Sequence, residues 1–531
     1  MEFDYVIVGA GSGGCSLAGR LAERCPQATV ALLEEGRATD RNLLVNVPLG
    51  FGGVVPYKMA LNWAYDTVAQ AGLAGRRTYQ PRGRGMGGSS AINAQIYTRG
   101  HPLDYDEWAA LGCTGWGWQD VLPYFLRAEG NTRGASELHG AGGPLGVSDL
   151  RTVNPFSRYF LAAAAQVGHV YNDDFNGAEQ EGVGLYQVTQ RDGKRCSAAQ
   201  AYIYGRTHPN LTVLTQTHAR RIVFEGRQAV GVEIERDGRR EAIRARCEVV
   251  MAAGAFGTPQ LLMCSGVGPA AHLQAYGITV VHDAPGVGAN LQDHLDYTVN
   301  TKVASSVPIG FSLRGGARML GQAWSYRRRH DGTWSSNVSE AGGFLKSTPD
   351  LVRPDLQLHF CVGLVDDHGR KMHLGHGYAL HVCLLRPKSR GSVKLAGPDA
   401  RAAPLIDPAF LSHRDDLEGL LRGAKLTRAI LDAPALAEQG GRELYTHAGM
   451  SDDALCDLIR EHSDTIYHPV GTCRMGSDAE AVVDLQLRVR GIDRLRVVDA
   501  SVMPTLPGAN TNAPTIMIGE RAAEWIVNAH A

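Results

Sequence analysis

A run of six residues near the start, Gly9-Ala10-Gly11-Ser12-Gly13-Gly14, restricts the fold of this chain more than any other feature. It follows the apolar segment Tyr5-Val6-Ile7-Val8 and precedes a helical stretch, Cys15 to Arg24, and a second apolar segment, Thr29 to Leu33, that ends in Glu34. Strand, glycine turn, helix and strand in that order make a βαβ dinucleotide-binding unit. Gly9 permits the tight turn, Gly11 lets backbone approach a pyrophosphate, and Gly14 lets the helix pack close to the strand. Ser12 and Gly13 belong to the same turn, at the helix end whose dipole faces the phosphates. Glu34, with Glu35 beside it, is placed to accept hydrogen bonds from a ribose diol. An acid at this point favours a free 2′-hydroxyl and disfavours NADP, and this segment leaves both NAD and FAD open.

At 531 residues the chain exceeds one ordinary core, and ~150 residues per domain predicts two or three lobes. A net charge of −1, from 53 basic and 54 acidic residues, gives no field that would recruit nucleic acid, so the expected partner is a small molecule. The first strand begins by Phe3 and leaves no room for a secretory signal, which predicts an intracellular, cytoplasmic protein. No run of ~18 apolar residues predicts a spanning helix. Ten cysteines stand without a CxxC pair or a Cys/His ligand spacing and read as buried thiols of a reducing compartment.

Beyond Glu34 the strict alternation stops. Val45 to Trp63, with Gly50-Phe51-Gly52-Gly53, reads as a loop able to fold over a pocket. Leu211 to Met251 divides into four short alternating segments that predict a small antiparallel layer, followed by a helix begun at Thr258-Pro259. Leu356 to Val362, Ala379 to Leu385 and Gly391 to Leu395 predict the strands of a separate lobe, with a helix near Asp415 to Leu431. A glycine- and asparagine-rich segment, Pro507 to Pro514, precedes helical spacing from Ile516 to Ala529. His359, His368, His373, His376 and His381 fall in the middle lobe. Their spacing matches no metal motif, and His359 and His381 alternate with apolar residues as strand positions do, so no metal is assigned. Tyr326-Arg327-Arg328-Arg329-His330, after the apolar Met319 to Trp324, reads as a solvated charge run ahead of a basic amphipathic helix for a membrane surface.

Two long patterns, Gly83 to Asn93 and Gly254 to Gly268, resemble the two signatures of the glucose-methanol-choline (GMC) oxidoreductases. The resemblance continues through Pro285 to His294, Tyr467 to Thr472 and Asn510 to Thr515, and covers essentially the whole chain. Within the family it is nearest to bacterial FAD-dependent alcohol dehydrogenases of alkane degradation and to choline dehydrogenases. It implies an α/β fold: a Rossmann-like FAD-binding domain assembled from discontinuous segments, and an α+β substrate domain with an antiparallel sheet. The expected division is 1–155, 196–300 and 461–531 for the FAD-binding domain, and 156–195 and 301–460 for the substrate domain. The implied cofactor is FAD. Some relatives bond a histidine of the first signature to the flavin; Ile92 stands at that place here, which predicts a dissociable FAD.

Oxidising an alcohol through a flavin requires a base for the hydroxyl proton and a hydride acceptor, the flavin N5. The resemblance implies that His468 is the base and Asn510 its partner on the same oxygen. An amide does not titrate, so His468 is the sole proton acceptor of the pair. It further implies that Arg84, Gly87, Gly88 and Ser89 line the flavin and its phosphates and that Asn93 and Ala94 lie near the ring. Asp499 and Ala500 are expected by the ribityl and pyrophosphate, Asn512, Pro514 and Thr515 by the pyrimidine side, Asn510 and Thr511 also at the cofactor, and Ala219 by the adenine.

The expected substrate is a primary alcohol, aliphatic or aromatic, held under the loop from Gly50 to Trp63, with a quinone-type acceptor implied by the nearest relatives. Choline would need a carboxylate or aromatic faces around its cation, for which Glu340, Trp63 and Tyr65 are the candidates. Alternatives are an alcohol oxidase using O2, a choline dehydrogenase and, more distantly, an FAD-containing hydroxynitrile lyase; the Rossmann unit alone also permits NAD-dependent chemistry. Peripheral contact with the inner membrane is the alternative to a purely cytoplasmic location.

Overall fold

Tyr5-Val6-Ile7-Val8 lies at the heart of a seven-stranded sheet in the computed structural model, which describes residues 1–529. These four side chains are buried on both faces, as a central parallel strand requires. Val30–Leu33 flanks the Glu2–Val8 strand on one side and Arg239–Met251 on the other, both in parallel register. The 13-residue Arg239–Met251 strand changes partner along its length. Its first half pairs antiparallel with Gln228–Arg236, and its last residues pair parallel with Leu495–Val497 from near the end of the chain.

Two expectations are corrected here. Leu211–Leu214 does not belong to an antiparallel layer; it pairs parallel with Val30–Leu33 at the sheet edge, a distinction that alternation alone does not carry. The helix expected from Thr258-Pro259 begins earlier and spans Gly254–Cys264, with Pro259 inside it. The missing proline N–H leaves the Ala255 carbonyl without its helical donor, and the Thr472 hydroxyl supplies a bond to it at 2.6 Å.

The glycine turn opens into the Ser12–Arg24 helix, which packs on the Asn512–Ala529 helix. Contact is close enough that a Cβ at Gly519 would overlap the Ser16 hydroxyl. A buried ion pair, Arg20 to Glu520 at 2.8 Å, joins the two helices.

A second, eight-stranded sheet is antiparallel throughout its paired strands. Its centre is Leu295–Val303, Gly375–Leu384, Leu356–Cys361 and Ser339–Leu345. Period-two alternation sorts the side chains. Leu356, Leu358, Phe360, Leu380 and Val382 form a core with the Pro155–Gln166 and Arg414–Asp432 helices. Gln357, His359, Cys361, His381 and Asp296 therefore share the other face, toward the first sheet. The Val45-to-Trp63 stretch is not wholly a loop: Leu43–Asn46 and Pro48–Gly53 form short helical turns.

Candidate active site

One cavity of about 520 Å³ runs between the two sheets, from the first glycine turn to His468. At the first end Gly9 has φ +103°, and a Cβ at Gly14 would overlap the Gly9 carbonyl oxygen, so turn and helix contact both demand glycine. Gly9, Gly11, Ser12 and Gly13 line the cavity, and the first turn of the helix faces it with unpaired amides. Glu34 is buried and clamped by three backbone N–H groups, from Ala10 at 3.0 Å, Gly36 at 2.8 Å and Gly85 at 2.9 Å. Burial pushes its carboxyl upward against those bonds. Oε1 takes two of these bonds and Oε2 one, which leaves Oε2 with a spare lone pair on a residue that lines the cavity. Glu35 beside it bonds His218 at 2.6 Å and Arg84 at 2.7 Å. Burial would raise its carboxyl, but these two partners outweigh it and hold the group below its usual range.

The second glycine-rich segment crosses the middle of the cavity. Gly88, Ser89, Asn93 and Ala94 are on the wall, whereas Gly14, Arg84 and Gly87 shape it from behind. Gly87 donates its N–H to Ala10, locking the two glycine segments together, and the Arg84 guanidinium covers the Trp63 ring at 4.8 Å. Two arginines that sequence reasoning passed over brace this segment. Arg82 donates to Ser89 Oγ and the Tyr467 carbonyl, each at 2.8 Å, while buried Arg195 donates to the Asn93 carbonyl and Oδ1, each at 2.7 Å. Ala219, Asp499, Ala500, Thr511, Asn512 and Thr515 all reach the wall. Asp499 accepts from Gly254 N–H and the Thr258 and Ser501 groups, and Ser12 donates to Asn512 Oδ1 at 2.7 Å, so the three separated segments meet here.

At the far end the hydrogen-bond network fixes the proton positions. His294 Nε2 lies 3.0 Å from the Leu385 carbonyl, which only accepts, so that nitrogen carries the proton. Burial holds His294 neutral, down to about 3, which makes its Nδ1 an acceptor. The partner at 2.9 Å, His468 Nδ1, is therefore the donor. His468 Nε2 is left with its lone pair. It receives the Asn510 amide N–H at 3.1 Å, an orientation set because Asn510 Oδ1 accepts from Thr98 at 2.9 Å and Gln357 at 3.1 Å. Burial first, then His294, His359 and Arg82, hold His468 well below the usual histidine range. A neutral imidazole with an unprotonated nitrogen, on a residue that lines the cavity, can accept a proton.

Asp293 and His294 lie inside a segment recognised in the sequence without a role. Asp293 anchors the backbone of the base, accepting from His468 N–H at 2.8 Å and Thr465 Oγ1 at 2.5 Å. Tyr467, just before the base, has φ +78°, a conformation unusual for a side-chain-bearing residue. Its hydroxyl bonds His368 Nδ1 at 2.7 Å and its carbonyl bonds Arg82, so both ends of the strained residue are held. His368 also brings a cluster that sequence spacing does not display: ligand atoms of Asp367, His368 and Asp464 within 4.8 Å, with Asp367 already paired to Arg370.

Family models described as GMC oxidoreductase match residues 3–296 and 387–519. The chain belongs to the GMC oxidoreductase family. It is 47% identical over 530 residues to an alcohol dehydrogenase [acceptor] of Pseudomonas putida, covering 99% of this chain and 96% of that protein. It is 42% identical over 535 residues to the mitochondrial choline dehydrogenase of Homo sapiens, covering 99% and 90%. Among solved structures it is similar to pyridoxine 4-oxidase from Mesorbium loti, with TM-score 0.88 and 34% identity, covering 100% and 99% of the two chains.

The residues present fit FAD. The cavity joins, without interruption, a glycine turn with free helix amides and a paired-acid end to a base at its other end. Ile92 is buried on the wall, and its side chain offers no nucleophile.

Proposed function

We propose that this protein oxidises an uncharged primary alcohol to the aldehyde with FAD as cofactor, His468 acting as the base and Asn510 as the hydrogen-bond partner on the substrate oxygen. FAD, when bound, supplies the acceptor for the carbinol hydride. The observation that carries this reading is the tautomer of His468. Its Nε2 is left unprotonated, on a residue that lines the cavity, because the ring proton on Nδ1 is bonded to His294. An entering alcohol takes the place that Asn510 now fills on that nitrogen, donates its hydroxyl proton to Nε2 and accepts the freed Asn510 N–H. The resulting imidazolium keeps its Nδ1 proton on neutral His294.

The preference for an uncharged substrate follows from where the carboxylates lie. Those on the wall are Glu34, Glu35 and Asp499, all at the nucleotide end. Glu340 is turned into its own shell and accepts from Asn154 N–H, Ser157 and Ser336. Trp63 is covered by Arg84. A quaternary ammonium beside His468 would thus be desolvated with no carboxylate on the adjoining wall, which costs several kcal/mol.

A quinone-type acceptor and peripheral contact with an anionic membrane complete the reading. Phe311, Met372 and Leu374 are exposed at or beside the cavity mouth, next to the Leu313–Arg329 helix, which exposes Leu313, Leu320 and Trp324 and carries five arginines and no acid. Among the described residues no helix is long and apolar enough to cross a membrane.

The test is anaerobic mixing of the yellow protein with a panel of primary alcohols that includes choline, followed near 450 nm. Bleaching by uncharged alcohols with none by choline is expected. Colour should then return faster with an artificial quinone than in air. An enzyme bleached only by choline would overturn the substrate class, and one that no alcohol bleaches, though dithionite does, would overturn the reaction.

A further inference from the structure

The face of the second sheet that looks into the cavity carries a group of side chains that alcohol oxidation does not use. Cys361 pairs in register with Ala379, so His381, two residues along the neighbouring strand, is its diagonal neighbour on the same face. His381 Nδ1 lies 2.6 Å from Asp296 Oδ2, and Thr298 braces both at 2.8 Å and 3.0 Å. The carboxylate therefore accepts a hydrogen bond from Nδ1–H, and Nε2 is the ring nitrogen left for a second partner. Thiol, imidazole and carboxylate stand in the order of an activated nucleophile, its base and the group that orients the base.

A second observation points to a ligand there. His381 Nε2 has no hydrogen-bond partner, and neither has either ring nitrogen of His359, a residue 3% exposed that lies opposite His381 on the same wall. Buried polar atoms are normally paired, so orphans gathered on a cavity wall mark a place for a polar atom of a bound molecule.

We propose that Cys361 captures the aldehyde formed in this cavity as a reversible thiohemiacetal, with His381 relaying the proton and Asp296 orienting His381. The proposal rests on the alcohol-to-aldehyde reading above. Sulfur attacks the carbonyl carbon and a C–S bond forms. The C=O π pair moves to oxygen, which takes the proton from His381 Nε2, and the thiol proton replaces it on the ring. Nothing is oxidised or reduced, and reversal releases the aldehyde.

The choice of Cys361 among ten cysteines is positional. It is the one that lines the cavity, whereas Cys15, Cys264 and Cys473 are sealed in cores where burial pushes their thiols up. His381 supports the same view. Burial alone would lower it, but Asp296 and Cys361 outweigh burial and raise it to about 10, so the ring carries the Nε2 proton that the relay hands over.

The test uses the oxidised holoenzyme and needs no turnover. Brief iodoacetamide treatment followed by peptide mass spectrometry should alkylate Cys361 at least ten-fold faster than the other nine cysteines, and butanal should protect it. 1-¹³C-butanal should give a bound carbon signal distinct from the free aldehyde and its hydrate, lost after alkylation and in Cys361→Ser that retains its yellow flavin. An unlabelled Cys361, or a bound signal that survives alkylation, would overturn the proposal. Because neither arm involves flavin reduction, its failure is separate from a failure of alcohols to bleach the enzyme.

Discussion

The two ends of the cavity are built by opposite means. At the nucleotide end the working groups are backbone: glycines at positive φ, first-turn amides, and a carboxylate, Glu34, whose oxygens are bound by three N–H groups. At the substrate end they are side chains, His468 and Asn510 from loops and His359, His381 and Cys361 from the face of an antiparallel sheet, where both ring nitrogens of His359 and Nε2 of His381 have no hydrogen-bond partner. A backbone cradle tolerates little change, because a Cβ at Gly9, Gly13, Gly14 or Gly88 would meet main chain that does not yield. A side-chain wall is replaceable residue by residue, at the price of chemistry rather than fold. Mutations at the two ends should accordingly separate cofactor retention from reaction.

The largest effect should come from His468→Ala. The cradle is untouched, so the absorbance ratio at 450 and 280 nm should stay near the native value. Flavin reduction by the best alcohol should fall ~10²–10⁴-fold, the range of a general base. Loss of both colour and rate together would erase the separation. At the other end, Gly14→Ala should do the reverse. Its Cβ would overlap the Gly9 carbonyl and abut the Ala252 side chain, an overpacking cost of ~1–3 kcal/mol that falls on FAD retention, measured by flavin release on dilution. Protein that keeps its flavin should still be bleached by alcohol.

A third contrast is in pH. His359 is held neutral by burial, down to about 3, with His381 and His294 adding to the effect. The unfolded chain takes up this proton near pH 6.5 and the folded chain does not, so stability is lost as pH falls below 6.5. His359→Leu removes that loss. Its stability relative to the native protein should rise by ~1.4 kcal/mol per pH unit below that point, read from denaturant midpoints at pH 7.5 and 5.5. Glu34 runs the other way: burial raises its carboxyl, so its contribution improves as pH falls. An unchanged midpoint difference for the variant would mean that His359 is not neutral in the fold.

The same division explains what could be seen in the sequence. The nucleotide end is local: Gly9 to Glu34 contains its own turn, helix and acid, and each glycine role follows from spacing. The paired segments at Gly83 and Asn510 became legible through resemblance, since nothing in their composition says that Ser12 meets Asn512, 500 positions away. The substrate end is non-local. His359 and His381 were visible as strand positions, but their opposition is a matter of register between strands, and Asp296 joins them from a third. His294 gave no signal beyond its place in a recognised segment, because its role is a proton on one nitrogen. The parallel pairing of Leu211–Leu214 was hidden for the same reason: alternation reports a buried face and is silent on the direction of the neighbour.

His294 offers the smallest effect and the finest test of the comparison, because it acts on the reaction only through His468. It is a positioning residue that accepts the Nδ1 proton at 2.9 Å and so keeps the base lone pair on Nε2. His294→Ala removes that acceptor. One hydrogen bond of ~0.5–1.5 kcal/mol corresponds to a ~2–10-fold slower flavin reduction, with flavin content unchanged. A purely structural loss could produce the same number, so pH carries the distinction. Neutral His294 accepts the Nδ1–H of the protonated base, so without it His468 should give up its proton at lower pH, moving the acidic limb of the reduction profile downward. His294→Gln should restore the native rate and limb, since an amide oxygen can accept from Nδ1–H as the imidazole nitrogen does. A rescued rate with a still-displaced limb would separate the tautomer argument from the electrostatic one. A slow His294→Ala with a native limb would leave His294 a packing residue and the protonation of His468 fixed by burial and Arg82.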